Sequence, residues 1–304
     1  MSQLEFGIGL RRMDAVAELA RKAEDLGYDY VQVGEHVSFN VPVSNSFISL
    51  AVAAGATTRI KLINAIALVP LYPATLLAKL AASLDVASGG RFHLGVGVGG
   101  ENPREFQACG VPVNERGART NEALGLLRRL WTEEHVSFSG RFNTLEDITI
   151  APQPTSLPHP PIWVSGRKEA AMRRTARYGD GWMPYMYTPE MLRDSLATIA
   201  TMRAETDRAG DPVRAGQYLF FCVHRDRDEA HRQAIARLSK QYAQDFSKLV
   251  GKYAIAGTPD DCAERLRQYI DAGASSIFLS SACDNDYLER NEQLLAEAVM
   301  PAFR

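Results

Sequence analysis

The feature that most constrains the fold is a regular alternation of short apolar segments with amphipathic helices along the chain. In the first half, four such segments have the character of strands, at residues 4–10, 30–34, 61–69 and 91–99. The third is apolar almost throughout, which is typical of a parallel strand covered on both faces. Consecutive strand–helix units build a parallel sheet, and eight of them close a (β/α)8 barrel.

The second half continues the alternation with two excursions, near residues 132–161 and 227–256. The remaining strands are predicted at residues 162–165, 181–186, 216–223 and 276–281. The first excursion holds a predicted hairpin and a proline cluster, and the second is a charged helical insertion that ends at a helix start, Thr258-Pro259-Asp260-Asp261. A chain of 304 residues fits a single α/β barrel domain, residues 1–304.

Helices are predicted between these strands. They cover residues from 14, 45–57, from 73, 114–131, 168–178, from 189 and 286–299. The helix that begins at Pro73 is expected to turn Leu76, Leu77, Leu80 and Leu84 toward the core.

Composition narrows the class of protein. The 34 basic residues nearly cancel the 36 acidic ones, which argues against a nucleic-acid partner and a membrane partner. Four scattered cysteines suggest a reducing compartment. The N-terminus lacks a basic segment before an apolar one, and the uncharged run 37–58 is broken by Asn40, Pro42 and Asn45. We therefore expect a soluble, cytoplasmic protein.

Glycines at the end of the fourth strand match a dinucleotide-binding pattern. Residues 95–100 read Gly-Val-Gly-Val-Gly-Gly, which fits G-x-G-x-x-G, but that motif should open a helix directly. Here Glu101-Asn102-Pro103 follows, and no strand ends in an acid about 20 residues later. We interpret the glycines as fitting a crowded barrel interior or the approach of a flat ligand.

Polar residues that follow strands two, four and five are the candidates for chemistry, because βα loops build the active site of such barrels. Glu35-His36 follows strand two and Glu101-Asn102 follows strand four. A histidine beside an acid suits proton transfer, although a structural histidine and rim charges remain alternatives. Residues 165–168, Ser-Gly-Arg-Lys, form either an anion site at a helix N-terminus or a capped turn with exposed cations. The dispersed histidines do not support a metal site.

Three segments resemble the luciferase-like flavin and deazaflavin oxidoreductase superfamily. They are residues 84–99 (LDVASGGRFHLGVGVG), 161–182 (PIWVSGRKEAAMRRTARYGDGW) and 256–273 (AGTPDDCAERLRQYIDAG). The resemblance implies an eight-stranded α/β barrel with an insertion after strand seven, and FMN or coenzyme F420 bound at the C-terminal rim. It also implies a small-molecule substrate and commonly a homodimer, in which the uncharged helix 45–57 is a candidate contact.

The resemblance also implies positions for the cofactor. A backbone bulge near residues 65–68, sometimes with a non-prolyl cis peptide, would brace the ring, and the loop after strand five would hold a phosphate. The implied cofactor-binding residues are Asn64, Ala65, Ile66, Ala67, Gly99, Glu101, Asn102, Ser165, Gly166, Arg167 and Lys168.

The leading hypothesis is an F420-dependent oxidoreductase that transfers a hydride between deazaflavin and a small organic substrate. Glu35-His36 resembles the pair in deazaflavin-dependent sugar-phosphate dehydrogenases. His36 would then move the proton, Glu35 would orient or charge-stabilise His36, and Glu101 would protonate the ring or polarise the substrate. One alternative is an FMN-dependent monooxygenase that uses O2 and a separate flavin reductase. Others are a non-catalytic flavin-binding barrel and a hydrolase with Glu35 and Glu101 as paired carboxylates.

Overall fold

A closed ring of parallel strands forms the centre of the protein in the computed structural model, which describes residues 4–304. Residues 1–3, part of the signal-peptide argument, lie outside the described residues. In chain order the strands are β1 (Glu5–Gly9), β2 (Tyr30–Val33), β3 (Lys61–Asn64), β4 (Ala67–Leu68), β5 (Phe92–Gly97), β6 (Val136–Ser139), β7 (Thr144–Ile148), β8 (Ile162–Val164), β9 (Gly181–Trp182), β10 (Arg214–Val223), β11 (Ala254–Gly257) and β12 (Ser276–Ser281). Around the ring the order is β1, β2, β3 with β4, β5, β8, β9, β10 and β12, which pairs with β1 again. The predicted (β/α)8 barrel is confirmed.

Helices surround the ring. They are α1 (Val16–Asp25), α2 (Ser46–Ala56), α3 (Ala74–Ser88), α4 (Pro103–Ala108), α5 (Arg116–Thr132), α6 (Glu169–Tyr178), α7 (Pro189–Ala204), α8 (Arg227–Tyr242), α9 (Val250–Tyr253), α10 (Pro259–Asp271) and α11 (Leu288–Ala298). None of the helices in residues 4–304 combines the length and the apolar character that a membrane crossing requires. The predicted helices lie within about two residues of these bounds, except that the insertion after β10 is split into α8 and α9.

The orientation of α3 differs from the expectation at one position. Leu77 and Leu84 are buried and Leu80 is partly buried, but Leu76 is 49% exposed. The prediction for Leu76 is therefore wrong. The buried stripe of α3 is carried instead by small residues, Ala74, Ala78, Ala81 and Ala82, which a pattern search for large apolar residues passes over.

Both excursions pack against the barrel. The first contains the predicted hairpin, β6 paired antiparallel with β7. The second contains α8 and α9 and then β11, which pairs in parallel with the outer edge of β10. The sequence analysis missed β11 because Ala-Ile-Ala-Gly is short and contains only one strand-forming residue, Ile255. The helix start at Thr258 is confirmed, since its side chain and that of Asp261 form a capping box.

A bulge interrupts the third barrel strand. Ile63 pairs with His93 and Ala67 pairs with Val96, so four steps along β3–β4 match only three steps along β5. One extra residue is thereby inserted, as in a β-bulge. The Ala65–Ile66 peptide bond inside it is cis. The bulge expected near residues 65–68 is present.

The glycines of β5 make room for this bulge. A Cβ atom on Gly95 would lie 1.8 Å from the Asn64 carbonyl oxygen, and one on Gly97 would lie 2.4 Å from the Ile66 side chain. Alternate residues of a strand face the same side, so the glycines accept the bulged segment along one face. No helix opens at Gly100, since α4 begins at Pro103, and the Rossmann alternative is set aside.

A buried histidine lies in the barrel interior below the bulge. The Trp163 indole N–H donates to His93 Nδ1 at 3.0 Å, and the Tyr30 ring packs edge-on against the imidazole. Burial, followed by the charges of Arg214 and Lys61, lowers the pKa of His93 to about 3. The imidazole is therefore neutral in the folded protein, as an acceptor for the indole requires.

This histidine is expected to make the protein less stable in mild acid. Its folded pKa lies below the unfolded value near 6.5, so between these values only the unfolded chain binds the proton, and stability falls as the pH falls. From pH 7 to pH 5 the loss is about 2 kcal/mol. Urea unfolding at both pH values should show His93→Gln losing less stability than the wild type. The exposed-site control His135→Gln should keep the wild-type loss, and equal losses in all three proteins would contradict the assignment.

Candidate active site

His36 lies on the C-terminal rim just beyond β2, and its partner is a carboxylate far away in the sequence. Its Nδ1 atom is 3.3 Å from both carboxyl oxygens of Glu105 on α4. Glu105 is fully buried and also accepts the Val37 N–H at 3.1 Å. A carboxylate can only accept, so Nδ1 carries the hydrogen and Nε2 of the neutral ring is left as a base. Among residues 4–304 no hydrogen bond occupies Nε2.

Phe39 fixes the other surface of this imidazole. The two rings are stacked with centroids 4.0 Å apart and planes 11° apart, and the His36 side chain keeps 20% of its surface exposed. The histidine is thus held at one nitrogen and one face while its second nitrogen remains available.

Glu35 makes no hydrogen bond to His36 within residues 4–304, so it does not orient the imidazole by direct contact, although the two groups are close enough for their charges to interact. Its carboxylate accepts hydrogen bonds from the Ser46 hydroxyl, at 2.5 Å, and from the Tyr72 hydroxyl. Burial raises the pKa of Glu35, although these hydroxyls oppose the shift. Because Ser46 also accepts from the Asn64 amide at 2.7 Å, Glu35 ties the end of β2 to α2, to the segment before α3 and to the bulge. With both oxygens engaged, it is poorly placed for the paired-carboxylate hydrolase alternative.

Glu101 stands on the rim beyond β5 in a cluster of three loops. It accepts a hydrogen bond from the Tyr185 hydroxyl at 3.3 Å, and the guanidinium of Arg167 lies 4.9 Å from the centre of the Tyr185 ring. Burial and the neighbouring Glu101 raise the pKa of Tyr185. The sequence analysis missed Tyr185 because it assigned residues 181–186 to a strand, whereas β9 ends at Trp182 and Tyr185 already belongs to the rim.

The bulge lies beside the end of β2. A Cβ atom on Gly34 would lie 3.2 Å from the Ala65 carbonyl oxygen, so the bulge and the segment that carries His36 are neighbours. Ala65 and Ile66 are partly exposed, while Asn64 and Ala67 are buried. The Asn64 side-chain oxygen is buried without a hydrogen-bond partner within residues 4–304, which is uncommon for such a group.

The loop after β8 joins the strand to α6. The carbonyl of Gly166 accepts from the Trp182 indole N–H at 3.3 Å, and that of Arg167 accepts from the Tyr187 hydroxyl at 2.9 Å. The Ser165 N–H donates to Val96 and continues the β5–β8 ladder. Arg167 and Lys168 are exposed at the N-terminus of α6, which begins at Glu169. The loop is thus anchored through its carbonyls, while cations and a helix N-terminus face outward.

Arg116 is a candidate that the sequence analysis missed. It begins α5, and its buried Nε atom has no hydrogen-bond partner in the part of the chain that the structure describes. A Cβ atom on Gly100 would come within 2.8 Å of that nitrogen, so the left-handed glycine and the guanidinium are in contact. The only sequence signal was an arginine at a predicted helix start, which is common on protein surfaces.

Asn102 and Gly99, two of the predicted cofactor-binding residues, contact the neighbouring loops. The Asn102 side chain caps α4 by accepting the Arg104 N–H at 3.2 Å and donates to the Ser38 carbonyl at 2.8 Å. It therefore connects the loops after β2 and β5. Gly99 adopts a positive φ of 58°, and a Cβ atom there would lie 2.8 Å from the Leu68 side chain. Within residues 4–304 no group of three or more His, Cys, Asp or Glu residues is placed to hold a metal ion.

The rim meets the requirements of a flat, anionic cofactor. An orphaned amide oxygen at Asn64 and a glycine-lined bulge lie on the neighbouring strands β3–β4 and β5, and an orphaned guanidinium nitrogen at Arg116 lies beside the loop after β5. Buried polar groups without partners commonly mark a position that a ligand completes. The chain's own residues therefore fit a flavin-type group.

Comparisons with known proteins agree with this geometry. The model of the luciferase-like monooxygenase family matches residues 6–276. An FMNH2-dependent dimethylsulfone monooxygenase from Pseudomonas putida is 31% identical over 74% of this chain and 62% of that protein. An F420-dependent glucose-6-phosphate dehydrogenase from Intrasporangium calvum is 26% identical over 93% of this chain and 92% of that one.

A solved structure extends the similarity to the fold. The crystal structure of monooxygenase RslO1 from Streptomyces bottropensis superposes with a TM-score of 0.88 at 26% identity, covering 99% of this chain and all of that one. The protein is an oxidoreductase built on an α/β barrel. It belongs to the luciferase-like monooxygenase family.

Proposed function

We propose that this protein is a coenzyme F420-dependent oxidoreductase in which His36 transfers the proton that accompanies hydride transfer. The observation that carries the proposal is the state of the imidazole: Nδ1 is held by the buried Glu105 and Nε2 is unoccupied at the rim. A histidine held in this way is suited to general acid–base catalysis. Interconversion of an alcohol and a carbonyl compound by hydride transfer needs such an acid–base group beside the hydride acceptor.

The residues around the mouth would have different roles in the reaction. When bound, the deazaflavin supplies a carbon that accepts or gives a hydride. His36 Nε2 would take the proton that a substrate hydroxyl loses, while the carbon that bears this hydroxyl would give a hydride, with its electron pair, to the cofactor and become a carbonyl carbon. Glu105 and Phe39 hold the imidazole in place. Glu101 presents a carboxylate beside Tyr185 on the opposite loops, where it can polarise the substrate or exchange a proton with the ring.

Other rim residues would hold the cofactor. The bulge at residues 64–67 offers backbone groups to one face of a planar ring, with Gly99 and Asn102 at its edge. Ser165, Gly166, Arg167 and Lys168 would bind a phosphate together with Arg116. Backbone N–H groups at a helix start and nearby guanidinium groups are a common combination for phosphate.

A paired binding titration tests the cofactor. Purified protein is titrated with F420 and with FMN, each followed by fluorescence. Preferential binding of F420 supports the proposal and justifies screening alcohols and other hydride donors for reduction of the cofactor. Preference for FMN would contradict the proposal and favour the FMN-dependent monooxygenase described below. Binding of neither cofactor would contradict both functions.

Arg116 is expected to contribute to cofactor affinity. Arg116→Gln removes the guanidinium beside Gly100. We expect the dissociation constant of the cofactor to rise roughly tenfold to hundredfold, which corresponds to the loss of one charge-assisted hydrogen bond. The matched control is Arg129→Gln on the same helix, where the guanidinium pairs with Glu133 at the surface. Equal affinities for both variants and the wild type would remove Arg116 from the site.

The second candidate is an FMN-dependent monooxygenase that uses reduced flavin and O2, served by a separate reductase. The dimethylsulfone monooxygenase and RslO1 comparisons favour it. Reduced FMN, supplied by a reductase, would then support oxygen-dependent consumption of a substrate, and O2 uptake measured with and without that reductase distinguishes the two functions.

We also propose that the protein is cytoplasmic and consists of a single barrel domain. Two copies would form a homodimer in which α2 lies at the interface. Ile48 and Val52 are 67% and 46% exposed on one side of that helix, and Met13 beside them is 51% exposed. Exposed apolar residues that cluster in this way commonly mark an interface. Sedimentation equilibrium should give about twice the monomer mass of 33.5 kDa, and a monomer would remove this part of the proposal.

A further inference from the structure

Two arginines at the C-terminal end of the barrel make no ion pair within 4.0 Å among residues 4–304. They are Arg11, two residues beyond β1, and Arg237 on α8, and they lie across the ring from the loop after β8. We propose that they form a subsite for the anionic group of the substrate, so that this oxidoreductase acts on an organic anion. The assignment to the substrate rests on the proposed function, while the anion site itself does not.

The register of β1 directs Arg11 to the mouth. Glu5 accepts from Ser276 and Tyr30 across the barrel interior, and a Cβ atom on Gly7 would meet Phe278, so residues 5 and 7 face inward. Side chains of a strand alternate, and Gly9 and Arg11 continue the same face as the chain leaves the ring. Arg11 therefore lies at the C-terminal end of the barrel, near Tyr218 of the interior and near Glu292 of α11.

Arg237 reaches the same place from α8. The side-chain oxygen of Gln233 accepts the Asp284 N–H at 3.1 Å, which places that face of α8 over the loop after β12. Arg237 lies one helical turn further along the same face. Its Nε atom is buried and lacks a hydrogen-bond partner among residues 4–304.

The charges around the pair leave room for an anion. Within residues 4–304 no carboxylate oxygen lies within 4.0 Å of either guanidinium, although fifteen such arginine–carboxylate pairs form elsewhere. Burial and the nearby Arg237 lower the pKa of Arg11. Burial raises the pKa of the Cys283 thiol, and the charges of both arginines oppose that rise. Glu292 is close enough to Arg11 for their charges to interact, and burial raises its pKa to about 7, while Asp284 under α8 pairs with Arg232. Two like charges at a partly desolvated position favour an added anion.

Aromatic rings separate this pair from Glu101. Tyr218 packs edge-on against Phe220 at 5.6 Å, and Phe220 packs edge-on against Tyr242 at 5.9 Å. The hydroxyl of Tyr242 is close enough to Tyr185 and Glu101 for their charges to raise its pKa. A molecule held at the arginines would thus lie along an apolar wall that leads to the opposite loops. An anionic group joined to an apolar body matches both surfaces.

The test uses the protein without cofactor and small probes in place of the substrate. Dissociation constants for benzoate, phenyl phosphate and neutral benzamide are measured by ligand-observed NMR for the wild type, Arg11→Gln, Arg237→Gln and Arg237→Lys. We expect at least one anion to bind tenfold or more tightly than benzamide, and each glutamine variant to weaken that anion about tenfold or more. Arg237→Lys, which keeps the charge, should retain part of the affinity. Whichever anion binds better identifies the carboxylate or the phosphate as the group recognised.

Controls separate this subsite from the cofactor site. Arg225→Gln removes an exposed cation at the start of the same insertion and should leave anion binding within twofold of the wild type. Thermal unfolding and circular dichroism show whether each variant is folded. Equal binding of the anions and benzamide by the wild type, or unchanged anion binding in folded glutamine variants, would overturn the proposal. Weaker F420 or FMN binding in these variants, with anion binding intact, would instead assign the arginines to the cofactor and also overturn it.

Discussion

Replacing His36 with alanine is expected to lower turnover by a hundredfold or more while the dissociation constant of the cofactor changes less than threefold. General acid–base groups contribute roughly 10²–10⁴ to rate. The imidazole is held through Nδ1 by Glu105, so its loss removes the base without removing the bulge or the phosphate loop. Single-turnover measurements of cofactor reduction, beside a cofactor titration, separate the two effects.

Glu105 provides the graded comparison. Glu105→Gln keeps an oxygen that can accept from His36 Nδ1 and should cost less than His36→Ala, with a changed pH–rate profile as the sign of a positioning residue. His135→Ala, an exposed histidine on the β6–β7 side, should be neutral. Wild-type turnover in His36→Ala would favour another proton carrier. Cofactor binding without turnover in any of the proteins would indicate the non-catalytic flavin-binding barrel.

Gly95→Ala is expected to destabilise the protein by about 3 kcal/mol or more, which corresponds to a fall in Tm of about 5 °C for a chain of this size. The new Cβ atom would lie 1.8 Å from the Asn64 carbonyl oxygen and 2.9 Å from its carbon. Both are backbone atoms next to the bulge, so they cannot move aside as a flexible side chain would. Equilibrium unfolding in urea and thermal scans measure the loss.

Gly125→Ala is the matched control for that substitution. Gly125 lies inside α5, where the nearest atom to a new Cβ is 3.7 Å away on the Tyr178 ring. Alanine favours a helix over glycine by about 1 kcal/mol, so this variant should equal or exceed the wild type in stability. A Gly95→Ala protein as stable as the Gly125→Ala protein would show that the β3–β4 segment adapts, and that the glycines serve another purpose.

The sequence pattern located some of the rim residues and missed others. His36, Glu101 and the loop at residues 165–168 were placed on the rim correctly, because each follows a strand whose apolar character is plain in the sequence. Arg116, Tyr185 and Glu105 were not found. Their roles depend on contacts across loops, and single arginines, tyrosines and glutamates in loops or short helices carry no periodic signal.

The acid that holds His36 is the clearest example of this difference. The neighbour in sequence, Glu35, lies on the other side of the turn after β2 and bonds to Ser46 and Tyr72, while Glu105 reaches the imidazole from α4. Adjacent residues in an extended segment point in opposite directions, so adjacency in the sequence argues against contact there. The pair Glu-His in the sequence therefore marked the histidine on the rim but not the acid that its Nδ1 atom contacts.

The amino-acid sequence alone predicted the alternating strands and helices of the ring, because strand and helix periods and turn residues are local, and the resemblance of three segments added the closed barrel and the family. The tertiary structure decided which side chains meet at the mouth. Glu105 and His36 are 69 residues apart, and Arg11 and Arg237 are 226 residues apart. Such pairs form only when the ring closes and its loops pack, since their geometry depends on strand register and loop path, which no local pattern records.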